Sequence, residues 1–184
     1  MAEFWLPGSS PNEDAFATTA IYRERIAVDE RRFIDMERTV SMAAIEDIVQ
    51  PGSGAAKLVI LSRRAPGLDA AALRRRHAVD FVAAVHAAPG FAQGLVGWRA
   101  NHVVEDSFRL PGARPAEALA IDLVEEMWFA SPSALHAAFA SADYRQHVAP
   151  VAERLFAAEG RQSFVAHEAM FFDGVPLTPA AARS

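Results

Sequence analysis

"EMWFASPSALHAAFASADYRQHVAPVAERLFAAEGRQSFVAHEAMFF" (residues 126–172) spells strand, helix, strand. Its first strand starts a little upstream, in "AIDLVEEMWF" (residues 120–129). There Leu123, Glu125 and Met127 fall on one face and Val124, Glu126 and Trp128 on the other. Ser131 offers an N-cap and Pro132 a first-turn proline. Leu135, Ala138 and Phe139 then recur at helical spacing as far as Tyr144. Pro150 is expected to break the helix, which resumes over residues 151–158 and closes at Gly160. In the second strand, residues 163–172, Phe164, Ala166, Glu168 and Met170 alternate against Val165, His167 and Phe171.

The same landmarks occur a second time, at the start of the chain. Set beside residues 126–172, residues 3–49 bring the same landmarks into step with one single-residue gap near Thr19. Glu3 meets Glu126, Trp5 meets Trp128, Phe16 meets Phe139, and Tyr22-Arg23 meets Tyr144-Arg145. Arg32/Arg154, Glu37/Glu159, Ser41/Ser163 and Glu46/Glu168 follow in order, with apolar residues opposite apolar ones between them. Alanine matches carry little in so Ala-rich a chain, but ordered Trp, Phe, Tyr-Arg and Glu matches indicate an internal duplication.

Between the copies, residues 51–56 are a flexible linker by composition. "KLVILSRR" (residues 57–64) then reads as a buried strand and Pro66-Gly67 as a turn. Asp69 caps a helix that runs to about Ala88, with Leu73, His77, Phe81 and Val85 on one stripe, and Pro89-Gly90 stops it. Residues 92–104 continue as a strand and residues 105–115 as a loop. Residues 57–174 thus give an α+β unit in the ferredoxin-like βαββαβ order, preceded by a half repeat at 1–50 and followed by a tail at 175–184. In that order the third and fourth strands flank the first, so a half repeat alone leaves a gap in its sheet. The expectation is that strand exchange or pairing with another chain fills the gap, or that a complete first copy precedes Met1.

The stretch "KLVILSRRAPGL" (residues 57–68) resembles the opening strand and turn of the EthD family of dimeric α+β barrel proteins. Pro89-Gly90, Asn101-His102, Glu126-Met127-Trp128-Phe129 and "FASADYR" (residues 139–145) extend the likeness across residues 57–172. The resemblance implies a homodimeric barrel that binds a small hydrophobic or aromatic metabolite, in some members with a His or Asp that transfers a proton. One departure stands in the first helix. Without gaps, His77 occupies the place of the family's Trp and Phe81 that of its His, while His86-Ala87-Ala88-Pro89 matches the motif only with a gap.

The composition narrows the function further. With 18 basic and 23 acidic residues and a net charge of −5, no basic surface is expected for nucleic acid. Cysteine is absent, which excludes disulfides and thiolate chemistry and leaves a cytoplasmic location as the default. No apolar run is long enough to span a membrane, and the first residues lack a signal-peptide layout, which puts the mature start near Met1. None of the six His forms the helical pair with an interposed Glu that marks zinc, so neither a metal nor a cofactor is expected. No phosphate loop, dinucleotide fingerprint or nucleophile elbow is present.

His102 is the candidate acid/base, because imidazole moves protons near neutral pH, with Asn101 beside it or Tyr144 to orient a substrate. The competing reading makes His102 a strand-end residue bonded to nearby backbone. Candidate substrate contacts are His77, Phe81, Trp98, Trp128, Tyr144 and His167, each of which also reads as ordinary core or surface. Glu125 and Glu126 lie on opposite faces and cannot cooperate, and the arginines at 63–64 and 74–76 read as solvated surface charge. Two functions follow: a cofactor-independent isomerase, dehydratase or cyclase using His-mediated proton transfer, or a non-catalytic ligand-binding or assembly module. Haem binding is a third reading, since related barrels include haem proteins.

Overall fold

The structure, a computed structural model, describes residues 19–105 and 112–168. The opening strand expected around Trp5, the residues after Glu168 and the tail lie outside the described residues. The described residues form an α+β arrangement with one antiparallel sheet of five strands: β1 (Ala44–Gln50), β2 (Ala56–Ser62), β3 (Leu95–Val103), β4 (Leu123–Phe129) and β5 (Gln162–Ala166). They lie in the order β1-β3-β4-β2-β5, every neighbouring pair antiparallel.

Among the described residues five α- or π-helical stretches accompany the sheet, besides the short 3-10 turns Met36–Arg38 and Ala116–Ala118. Helix α1 is a π turn (Tyr22–Ile26) continued by Ala27–Glu30. Helix α2 runs Ala70–Arg76, a π turn His77–Phe81, then Val82–His86. Helix α3 is a single turn, Pro89–Ala92, and α4 is Pro132–Ala140. Helix α5 joins a π turn, Tyr144–Val148, to Ala149–Leu155. The expected caps are in place: Ala72 N–H donates to Asp69 Oδ1 at 2.6 Å, and Ala134 N–H donates to Ser131 Oγ at 3.1 Å.

The expected break before Pro150 does not occur. The turn widens instead, with Ala149 N–H donating to the Tyr144 carbonyl five residues back, and helix continues through the proline. A widened turn makes room for the ring and absorbs its missing N–H. Strand β3 also starts at Leu95, later than expected, because Pro89 begins α3 as its N1 residue.

Side chains alternate across the sheet, and each face has its own core. Toward the helices point Leu58, Ile60, Trp98, Leu123, Met127 and Phe129, packed with Leu73, Phe81, Val85 and Leu155. Toward the other face point Val59 and Val124, covered by Ala116 and Ile121 with Val40 and Met42 against them. Both central strands are therefore buried on two sides, which suits their near-continuous apolar runs "AKLVILS" and "LVEEMWF".

The segment before β2 is packed closely. Gln50 Nε2 donates to the Leu95 carbonyl at 3.1 Å, and the backbone of Gly52 lies on that of Val96 and Gly97. A Cβ on Gly97 would run into the Gly52 carbonyl, so the two strands of backbone cross only because both residues are glycine. Gly97→Ala is predicted to lower unfolding stability by about 1–3 kcal/mol in denaturant titrations. Unchanged stability would show that the crossing can relax.

Candidate functional site

Helix α2 and strands β1, β3 and β4 bring five ionisable side chains together on the helix-covered face. The period of two in β3 sends Trp98, Ala100 and His102 to this face, and in β4 it sends Leu123, Glu125 and Met127 there. The π turn of α2 buries His77 and Phe81 above them. His77 Nε2 lies 3.1 Å from Glu125 Oε1, with side-chain exposures of 1% and 0%. Around the His77 ring are Phe81 at 5.3 Å, Trp98 at 5.7 Å and His102 at 5.5 Å between centroids, the last two edge-on.

The N-terminal part of the chain supplies the next member. Strand β1 pairs with β3 so that Asp47 stands opposite Ala100, on the same face as His102. Asp47 Oδ2 is 3.4 Å from His102 Nε2, a charge contact without hydrogen-bond alignment. Both Asp47 oxygens accept from Arg74 of α2, Oδ2 from Nε at 2.9 Å and Oδ1 from Nη2 at 2.6 Å. The order from surface to core is thus Arg74, Asp47, His102, His77, Glu125. Ser62 Oγ, Trp98 Nε1 and Glu125 Oε2 are buried with no hydrogen-bond partner among the described residues.

Electrostatics follow from this burial. Loss of hydration, with the neighbouring His77 as the next cause, pushes the His102 pKa down to about 4, against an opposing pull from Asp47. His102 is therefore neutral at physiological pH. Hydrogen bonds from Arg74 hold the Asp47 carboxyl below the ordinary carboxylate range.

The opposite face carries a second polar group. Lys57 Nζ pairs with Glu126 Oε1 at 2.6 Å and with Glu168 Oε1 at 3.4 Å, and the Trp128 indole donates to Glu168 Oε2 at 3.0 Å. The cations of Lys57 and Arg99 lie 4.7 and 5.3 Å from the Trp128 ring centroid. Asn101 belongs here, its Nδ2 donating to Glu126 Oε2 at 3.4 Å.

Of the residues singled out from sequence, His77, Phe81, Trp98 and His102 come together. Asn101 and Trp128 lie across the sheet from them. Tyr144 is stacked on Phe91 at 5.5 Å and lies beside Phe139 at 4.8 Å in the helix layer. His167 follows the end of β5 and is exposed. The sequence reading passed over Asp47 and Lys57, left Arg74 as surface charge and gave Glu125 no partner. Alternation from Trp98 and His102 could have placed Glu125, but the Asp47–Arg74 pair depends on tertiary register.

A cleft of about 560 Å³ opens at the end of the sheet where β2 and β3 finish and β4 begins. Leu68, Val103, Ile121 and Asp122 form part of its wall. Ala120, also in the wall, holds the left-handed backbone conformation at φ 51°, which costs a non-glycine residue energy. His102 precedes the wall residue Val103, although its own ring points to the helix side.

Among the described residues no cluster of three or more His, Asp or Glu has metal-holding geometry, and no helix is long and apolar enough to cross a membrane. No protein-family model matches the chain, and no curated protein sequence matches it.

The His102 pKa has a consequence for stability. An unfolded His binds its proton near pH 6.5, the buried one only near 4, so the unfolded state holds more protons between these values. Stability from the neutral imidazole is complete above about pH 6.5 and is lost, by about 3 kcal/mol, as pH falls to about 4. Denaturant titrations should show the wild type losing about that much more than His102→Gln between pH 7 and 4. Parallel losses would mean that His102 takes up a proton in the folded protein without penalty.

Proposed function

We propose that this chain is a ferredoxin-like α+β protein of the EthD kind, with a half repeat ahead of the complete unit. In this reading it binds a small hydrophobic or aromatic metabolite and moves a proton within it, with His102 as the acid/base. The carrying observation is the His102 imidazole, neutral and buried between Asp47 and the His77–Glu125 pair. A neutral His takes a proton from an acidic C–H, and the Asp47 carboxylate beside it offsets part of the cost that burial places on the imidazolium.

The strand order of residues 56–166, with the outer strands β5 and β3 flanking β2 and β4, supports the ferredoxin-like reading. The half repeat draws support from the helices, since π turns start at Tyr22 and Tyr144, which the internal alignment places opposite each other. The homodimer belongs to the same proposal. Ile48 and Phe164, 57% and 40% exposed on the face away from the helices, are consistent with further cover there.

Proton transfer can be read without the natural substrate. In D2O, a panel of enolisable aryl ketones should gain deuterium beside the carbonyl, followed by NMR. His102→Gln should slow this by about 100-fold or more, and equal rates in the two proteins would remove His102 from the chemistry. A non-catalytic binding module is the second reading, favoured by the sealing of His77 and Glu125 beneath α2. Native mass spectrometry that found a tightly held aromatic compound, with no exchange or conversion, would select it.

A further inference from the structure

Two imidazoles lie edge-on in this core, and each has its own carboxylate. His77 is paired with Glu125, fully enclosed. His102 is beside Asp47, whose side chain is 36% exposed. Asp47 comes from β1, in the N-terminal unit, whereas His102 and Arg74 come from the unit that follows the linker.

We infer that Asp47 of β1 orients the His102 imidazole and supplies its counter-charge, with Arg74 holding the carboxylate in place. The proposal rests on the proton-transfer reading, since it gives that site its positioning residue. The geometry is specific in three ways. Register places Asp47 diagonally across from His102 on one face of an antiparallel pair, within reach of its ring. Arg74 grips both carboxylate oxygens, which fixes the plane of the carboxylate beside the imidazole. The 3.4 Å contact falls short of a hydrogen bond, as is common for catalytic groups before substrate binds.

The other groups acting on His102 come from every element packed on it. His77 and Arg74 of α2 oppose its protonation, while Asp47 of β1 and Glu125 of β4 favour it. Asp47 is the only one of these carboxylates close to His102 Nε2, because Glu125 is engaged by His77. When the imidazole accepts a proton from substrate, the positive charge formed lies against Asp47, and the proton leaves again to the product or to water at the exposed Asp47 side.

As a plain surface ion pair, Arg74–Asp47 would contribute under about 1 kcal/mol to stability and leave His102 unaffected. The two roles therefore separate by experiment. Titration of the His102 ring by NMR in the full chain is expected to show a lower midpoint in Asp47→Asn than in wild type. Asp47→Glu should restore it. Arg74→Met, which frees the carboxylate without removing it, keeps the test open if Asp47→Asn fails to fold, and should displace the His102 ring signals at neutral pH.

In the deuterium-exchange assay, Asp47→Asn is expected to reduce kcat about tenfold or more with KM little changed, and to move the acid limb of the pH profile. An unchanged His102 midpoint in folded Asp47→Asn, or unchanged ring signals in Arg74→Met, would overturn the inference. Absence of exchange in the wild type, with the NMR shifts present, would instead count against the proton-transfer reading and leave the Asp47–His102 coupling standing.

Discussion

Strand β1 lies antiparallel along β3 with Ala44 opposite Val103 and Asp47 opposite Ala100. A slip of one residue would turn every β1 side chain to the other face of the sheet. Asp47 would leave His102 and Arg74, and the apolar Val49 would lose its place against the helix-side core. The register is held beyond the ladder by the Gln50 side chain on Leu95 and by the glycine crossing at Gly52 and Gly97. A short N-terminal strand thereby places a carboxylate beside a histidine far away in sequence.

Alternation in β4 does comparable work over a single peptide bond. Glu125 goes under the helices to His77, and Glu126 goes to the far face to Lys57. Both carboxylates are buried, and each has a basic partner close by. The helix-side group is the less fully satisfied of the two, since Ser62, Trp98 and Glu125 each keep an unpartnered polar atom there. Each such atom costs about 1–3 kcal/mol relative to a hydrogen-bonded one. Leucine and phenylalanine at these positions would pack without that penalty.

Much of this was legible in the sequence, and what escaped it has physical reasons. Asp69 and Ser131 announced their helices because N-caps act within four residues, and β2 and β4 announced themselves as apolar runs. The stripe through Leu73, His77, Phe81 and Val85 gave the buried side of α2, although the π turn at its centre left no sequence mark. Asn101 and His102 looked like partners because they are adjacent, yet adjacency on a strand means opposite faces. Arg74 looked like surface charge because its partner lies 27 residues upstream on a strand that reaches it only through pairing with β3. Composition marked residues 51–56 as loose, and the same glycines instead permit a close backbone crossing.

Pairing of β1 with β3 inside one chain is the claim on which the site depends, and a cysteine-free protein allows it to be measured cleanly. Val104 N–H donates to the Ala43 carbonyl, which makes the next pair, Ala44 and Val103, the close non-hydrogen-bonded kind that suits a disulfide. The double variant Ala44→Cys, Val103→Cys should oxidise to a monomer-sized, intrachain cross-linked species on non-reducing electrophoresis. Cross-linked dimers, or two free thiols after oxidation, would mean that β1 pairs with another chain or in another register, and that Asp47 does not meet its own chain's His102.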